Sequence, residues 1–414
     1  MKEIKISSAD CCATPGLITV EQAIEKILSQ AVPVAQTEKV DILYALNRVL
    51  AEDLRSSIDV PGYDNSAMDG YAVRSADCKV AGNVLPVTQR IPAGQVGIKL
   101  EAGTAARIFT GAPVPEGADA VVMQEMCEQI NDDVTINAVI DKGSNVRCAG
   151  EDIALGSTVL DKGTRLRPQE LGLLASVGLA EFKVNRKLKV ATFFTGDEIV
   201  APGKPLAPGQ IYNSNRYTLR GLLQSMGCDI IDLGIVPDTL EATLDVLERA
   251  AAESDLVITS GGVSVGEEDY VRIALQQLGE LNMWRIAMKP GKPVAFGRVG
   301  KTLFMGLPGN PVSVFVTFLL FARMLILKMQ GTDDHRMPRV SVVADFDWPA
   351  VKRQEYLRVK ITHKDDRVLA QLYPHQGSGV LSSASWADGL VEAPLNSVIS
   401  KGDRVDYLPF EGLL

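Results

Sequence analysis

The sequence predicts a multidomain α/β protein: a central parallel-sheet α/β domain, an N-terminal helical/β region, an inserted β domain and a C-terminal β-barrel. Three observations carry this. Between residues 187 and 330, short β-branched runs alternate with helical patterns, the signature of a parallel sheet covered by helices. Before and after that stretch the texture changes to short strands broken by Gly and Pro. The length of 414 residues leaves room for roughly two to four domains at ~150 residues each.

Taken in order, TVEQAIEKILSQ (19–30) opens on Thr19 and repeats apolar residues at helical spacing, so it reads as a capped helix. A second helix is expected over Ile42–Leu54. Tyr71–Val73, Ala106–Phe109 and Ala120–Gln124 read as strands of a small β domain, and Pro168–Val177 as a helix started by RPQE. Strands are expected at 188–194, 229–233, 255–259, 284–288, 293–297 and 302–306, with helices near 214–226, 239–252, 270–279 and 311–329. The remainder, with RVSVVADF and YLRVKIT, fits a small barrel or sandwich, and the barrel is the expectation. The implied units are 17–55 with 148–184, then 56–147, 185–337 and 338–414.

Apolar residues make up 46% and charged residues 22%, which fits a globular chain with sizeable cores. A net charge of −9 without a basic run leaves nucleic acid no electrostatic footprint. The apolar stretch Val312–Met329 contains Ser313, Thr317, Arg323 and Lys328, so a buried helix is expected rather than a membrane span. MKEIKISSADCC lacks the apolar core of a signal peptide, and the six scattered cysteines form no C-x-x-C. A cytoplasmic protein with free thiols is the reading.

In an open parallel sheet, ligands bind beyond the carboxyl ends of the strands. The loops there are Thr195-Gly196-Asp197-Glu198, Val236-Pro237-Asp238, SGGVSVGEED from Ser260, Lys289-Pro290-Gly291-Lys292, and Gly306-Leu307-Pro308-Gly309-Asn310-Pro311. Ser260, Gly261 and Gly262 let backbone N–H groups approach an anion. Carboxylates beside an anion repel it unless a cation intervenes, so Glu198, Asp238 and Asp269 are candidate Mg²⁺ ligands, with Ser264 in the same loop as Asp269. Glu267 and Glu268 are better explained as charges complementing a helix N-terminus. For Asp238 an N-cap role before Thr239 is an equal reading. Lys289 and Lys292 flank a Pro-Gly kink where both ammonium groups can face one oxyanion, and Pro311 suits the first turn of a helix.

In the N-terminal half, DVPGYDNSAMDGY (59–71) is dense in turn formers. Turn chemistry does not require Ser66, Met68 and Asp69 together, so a second functional loop is expected there. Thr110-Gly111-Ala112-Pro113 and Gly150-Glu151-Asp152 are weaker versions. His335, His363 and His375 are too scattered for a histidine zinc site.

PGYDNSAMDGYAV, RIFTGAPVPEGADAVVMQE, GED, TGDE, SGGVSVGEEDY, MKPGKP and GLPGNPVS occur in this order. From about residue 17 onward the chain resembles the molybdopterin molybdenumtransferases, the MoeA family that includes the E domain of gephyrin. The resemblance implies a four-part subunit in a homodimer, with a molybdopterin-binding central fold and a cleft shared between subunits. It implies insertion of molybdate into adenylylated molybdopterin, giving the molybdenum cofactor and AMP with Mg²⁺ assistance. Carried onto this chain, Asp238 and Asp269 serve metal and pyrophosphate with Glu198 nearby. Ser264, Lys289 and Lys292 face molybdate and substrate oxygens. Arg358 and Ser378 complete the anion pocket, and Asp69, Thr110 and Asp152 come across the dimer interface.

Implied partners are a molybdopterin adenylyltransferase and apo-molybdoenzymes or their chaperones, with no nucleic acid and no membrane. Phe194 stands where a small residue is expected before TGDE, and residues 1–16 with Cys11-Cys12 have no counterpart in the pattern. Two other readings share the central fold: the adenylyltransferase itself, which lacks the flanking domains, and a non-enzymatic scaffold.

Overall fold

The computed structural model describes residues 17–262, 270–332, 335, 337–364 and 366–413. At its centre lies a seven-stranded sheet in the order Leu17–Ile18, Gly279–Ile286, Pro293–Val299, Thr302–Leu307, Leu256–Ser260, Lys189–Thr195, Asp229–Val236. Every neighbouring pair is parallel except the two made by Pro293–Val299, which alone runs against the rest. Both strands beside it follow hairpin-length connections, too short for a parallel crossover.

Strand side chains alternate between two cores, as a period of two demands. Val190, Phe194, Leu256, Ile258, Leu303 and Met305 enter one cluster. Ala191, Phe193, Val257 and Phe304 enter the other. The first core is covered by helices Val20–Gln30, Ser214–Ser225 and Pro311–Gln330. The second is covered by Leu240–Glu253 and Tyr270–Leu278. Phe194 is 1% exposed in the first core, so it packs under the sheet.

The Pro311–Gln330 helix is long and apolar enough to cross a membrane, yet 89% of its most apolar window is buried inside the protein. It begins at Pro311, passes through a π-helical turn at Phe318–Ala322, and ends on Gly331 at φ +91°.

Two expectations are corrected here. Sequence grouping placed residues 17–30 with the first unit; they pack on the central sheet instead, through the Leu17–Ile18 strand and buried Val20, Ala23 and Ile27. The helix expected over Ile42–Leu54 is one 3₁₀ turn at Ile42–Tyr44. Asn47 at φ +63° breaks the run, and Val49 and Leu50 bridge to Arg165 and Val184. Apolar spacing survived there, but cross-chain pairing replaced helical bonding.

The rest of the first unit pairs Thr37–Asp41 with Glu181–Asn185 and Leu54–Arg55 with Thr158–Leu160, beside the helix Pro168–Ser176. Within it sits a six-stranded β unit, ordered Ala120–Met123, Gly70–Val73, Ala105–Ile108, Asn83–Ile91, Asp133–Ile136, Cys127–Ile130.

The C-terminal unit is a closed five-stranded barrel. Gln354–Lys364 pairs with both Arg367–Leu372 and Gly389–Ala393, while Val340–Ala344 and Arg404–Pro409 complete the ring. A sixth short strand, Met288–Lys289, joins Gln354–Glu355 in parallel. The central domain is thus hydrogen-bonded to the barrel at the lysine loop.

Candidate active site

At the carboxyl edge of the central sheet a cavity of about 660 Å³ opens. Glu198, Gly261, Gly262, Lys289, Lys292, Pro308, Gly309 and Asn310 line it from four of the five strand-end loops, and Arg353 and Ser378 line it from the barrel.

Backbone geometry dictates the glycines. Gly262 has φ +63°, and a Cβ there would sit 2.7 Å from Val271 Cγ2 and 2.9 Å from Thr195 Oγ1. Gly291 has φ +103°, and its Cβ would lie 2.4 Å from Thr317 Cγ2 on the long helix. Side chains then tie the loops together. The Ser260 hydroxyl donates to the Pro308 carbonyl (3.1 Å) and accepts from Asn215 Nδ2 (2.9 Å). The same Asn215 amide donates to the Gly309 carbonyl at 2.7 Å. Ser260 is buried, so it braces the cavity from behind.

The two lysines differ. Lys289 Nζ lies 3.1 Å from Glu355 Oε1, and the other Glu355 oxygen accepts from the Trp348 indole N–H at 3.2 Å. Lys292 is exposed and forms no ion pair among the described residues. Asn310 Nδ2 donates to Ser378 Oγ at 3.0 Å, and the Val312 N–H donates to the Ser378 carbonyl at 3.0 Å. Pro311 has no N–H to offer. The helix start is therefore partly satisfied by the barrel, and Pro311 does not line the cavity.

Several expected residues lie elsewhere. Arg358 is 1% exposed, and its guanidinium donates to Ser383 Oγ, the Tyr356 carbonyl and the Gly377 carbonyl. On strand parity it shares the face of Tyr356, which packs into the central core. It holds the loop carrying Ser378 and does not line the cavity. Burial lowers its pKa to about 10, which leaves it charged at neutral pH. Asp238 lies past the end of the edge strand, beside Thr239, the residue that caps Leu240–Glu253, and is outside the cavity lining. Ser264, Glu267, Glu268 and Asp269, like Cys11 and Cys12, lie outside the described residues.

Asp69, Thr110 and Asp152 do not line the cavity of their own chain. Asp69 and Thr110, forty-one positions apart, are nonetheless one unit: the Thr110 amide (2.8 Å) and hydroxyl (2.7 Å) both donate to Asp69 Oδ1. These two bonds, the amide first, hold the Asp69 carboxyl below its ordinary range. Asp152 is exposed, and its N–H donates to the Val60 carbonyl (3.1 Å).

Arg353, Asn310, Asn215 and Glu355 are the site residues that sequence reasoning missed. Asn310 was within reach, because it precedes Pro311 at a helix start. No pattern marks the other three.

Among the described residues no three His, Cys, Asp or Glu side chains gather into a metal cluster. Glu198 is the carboxylate that lines the cavity among them. Cationic side chains, glycine backbone and a single acid make a cleft suited to a phosphorylated or oxyanionic ligand. Fold and cleft together define a multidomain α/β protein with a cation-lined cleft at the carboxyl edge of its central sheet.

Comparison with known proteins sharpens that class. Residues 18–178 match the MoeA N-terminal region (domain I and II), 191–328 a probable molybdopterin binding domain, and 341–410 the MoeA C-terminal region (domain IV). The molybdopterin molybdenumtransferase of Haemophilus influenzae is 41% identical over 404 residues, covering 96% of this chain and all of that protein. Molybdopterin molybdenumtransferase 2 of Mycobacterium tuberculosis is 36% identical, over 90% of this chain and 95% of its own length. A crystal structure of a molybdopterin biosynthesis MoeA protein from Pyrococcus horikoshii OT3 superimposes with a TM-score of 0.79 at 31% identity, covering 95% of this chain and 100% of that one. The chain belongs to the molybdopterin molybdenumtransferase (MoeA) family, whose place is the biosynthesis of the molybdenum cofactor.

Proposed function

We propose that this chain inserts molybdenum into adenylylated molybdopterin, using molybdate and releasing AMP. The observation that carries the reading is the cavity shared by Lys289, Lys292, Arg353, Ser378 and the Gly261-Gly262 backbone, at the sheet edge of a family member. Molybdate and a phosphoanhydride are both anions. They meet only where fixed cations offset their repulsion, and preorganised donors do so without reorganising. Lys292 and Lys289 hold molybdate, and the side-chain-free turn at Gly261-Gly262 lets phosphate oxygens approach the backbone. The two dithiolene thiols displace an oxygen of molybdate, which leaves with their protons as water, and a water oxygen attacks the anhydride phosphorus as AMP leaves.

Mg²⁺ fits this donor set. Magnesium takes one or two protein carboxylates and fills its shell with substrate phosphate and water, which matches Glu198 at the cavity wall. Asp269 and Asp238 belong to the same proposal. Mg²⁺ would supply charge neutralisation at the anhydride, while the chain's own lysines orient the oxyanion. We also place the protein in the cytoplasm as a homodimer, with Asp69, Thr110 and Asp152 reaching the partner's cleft. Partners in this scheme are the adenylyltransferase that makes the substrate and the apo-molybdoenzymes or chaperones that take the product.

The adenylyltransferase reading is disfavoured by the barrel, which contributes Arg353 and Ser378 to the cavity lining. Turnover separates the two. Molybdate-dependent AMP release from adenylylated molybdopterin is expected. ATP-dependent adenylylation of molybdopterin, with no response to molybdate, would refute the proposal.

A further inference from the structure

Where the first unit meets the far end of the Pro311–Gln330 helix, a second cavity of about 460 Å³ opens. From Pro311 to Arg323 that helix runs roughly 18 Å at ~1.5 Å per residue, and the second cavity shares no lining residue with the sheet-edge cleft. Lys162, Arg165, Arg167 and Arg323 line it, and no acidic side chain does so among the described residues. The four cations differ in what they already hold. Arg167 forks onto Glu170 at 2.6 and 3.0 Å. Arg323 is fixed on the chain's closing residues, donating to the Leu413 carbonyl at 2.9 Å and the Gly412 carbonyl at 3.3 Å. Arg165 is half-buried and donates from Nη2 to the Ser225 carbonyl at 3.1 Å. Its Nε is buried without a partner, and it forms no ion pair among the described residues. Burial lowers its pKa, as expected of a guanidinium without a counter-charge. Such a group is unfavourable until an anion joins it. Lys162 is exposed and likewise forms no ion pair among the described residues.

We infer that this cavity is a second anion site, which takes a compact polyanion of phosphate chemistry such as inorganic pyrophosphate or phosphate. The inference stands independently of the function proposed above. Arg165 offers a planar fork to two oxygens of a tetrahedral group, and Lys162 adds a point charge. A helix C-terminus ordinarily repels anions through its last carbonyls. Here the Gly331 N–H donates to the Lys328 carbonyl at 3.0 Å and the Thr332 N–H to the Leu327 carbonyl at 3.2 Å, which blunts that repulsion. Leu327 is the one large apolar side chain in the lining, and no aromatic ring joins it among the described residues. A nucleobase therefore finds no face to stack on, and the charge selects a small ion over a nucleotide.

The test is calorimetric titration of pyrophosphate into the full chain as wild type, K162Q, R165Q and K292Q, the last marking the sheet-edge cleft. Two bound equivalents are expected, of which K292Q weakens one and the other two variants weaken the second. Loss of a charge-assisted contact weakens the second equivalent roughly tenfold in R165Q. The exposed Lys162 contributes less, roughly two- to fivefold, but its replacement leaves the packing intact, so K162Q decides the matter if R165Q fails to fold. Pyrophosphate binding unchanged in K162Q overturns the inference whatever R165Q does. A single equivalent that answers only to K292Q, or no binding by wild type, overturns it too. Titrations of phosphate and AMP then test the size of the ion: AMP binding the K162Q-sensitive equivalent tenfold more tightly than phosphate would refute a site for compact ions.

Discussion

Gly291 joins the two lysines of the cleft, and replacing it with alanine probes how the cleft is held. The residue has φ +103°, outside the range that L side chains adopt readily, and a Cβ there would lie 2.4 Å from Thr317 Cγ2 and 3.5 Å from Met288 Cε. Thr317 cannot yield easily, because it is fully buried and its hydroxyl donates to the Ser313 carbonyl at 2.6 Å. The backbone term costs roughly 1–3 kcal/mol. Overpacking against the helix adds about 1–3 kcal/mol, so Gly291→Ala should lose about 2–6 kcal/mol. Relief is available only by lifting the 289–292 loop off the helix, which displaces Lys289 and Lys292.

Gly300 offers a matched comparison, since it sits at φ +58° with nothing within 4 Å of its virtual Cβ. Gly300→Ala should cost only the backbone share, about 1 kcal/mol. Urea unfolding followed by circular dichroism measures both variants, and molybdate titration of AMP release measures the displacement. If Gly291→Ala unfolds with Gly300→Ala and titrates molybdate like wild type, the loop is not braced by the helix and the reasoning is wrong.

Other expectations follow from the same geometry. The Asn310–Ser378 bond at 3.0 Å should give a coupling of about 0.5–1.5 kcal/mol in a double-mutant cycle to alanine; strictly additive variants would show that it does not tie barrel to sheet. Arg358→Met should destabilise by about 1–3 kcal/mol, since it removes the donor to the carbonyl of buried Tyr356, and an unchanged urea midpoint would remove its structural role. Asp69 has its folded pKa below the unfolded one, so its contribution is present above the unfolded value and is lost as pH falls through the folded one. Thr110→Val deletes the hydroxyl donor and should move the Asp69 midpoint upward in a carboxyl NMR titration; a stationary midpoint contradicts the pairing. Burial pushes the Cys228 thiol up to about 12, while Cys148 is exposed. Iodoacetamide should therefore label Cys148 in the native chain well before Cys228, as peptide mass mapping would record.

The central domain was legible because its signals agree at every level. Buried runs such as Leu256–Ser260, turn glycines and amphipathic helices all point to one arrangement. The direction of Pro293–Val299 was not legible, since periodicity fixes which side chains are inward but not which way a strand runs. Ile42–Leu54 failed for a related reason: apolar spacing looks the same in a helix and in a folded-back segment bridged to residues 165 and 184. In the site, the strand-end loops could be read from sequence because a parallel sheet must gather them at one edge. Arg353 and Arg358 could not be told apart, because their difference lies in what the barrel packs against. The Asp69–Thr110 pair needed a tertiary contact across forty-one positions.

The barrel's two straps, Glu355 to Lys289 and Ser378 to Asn310, have a consequence for a half-made chain. Synthesis runs from N to C, so the sheet with its lysine loop is complete before residue 353 leaves the ribosome. Until the barrel docks, the lysines face open water and no far wall exists to confine an anion. Under the proposed function, the two-sided cavity is thus completed only with the closing segment. The same feature makes anion affinity a reporter of barrel docking, readable in any variant that loosens one unit from the other.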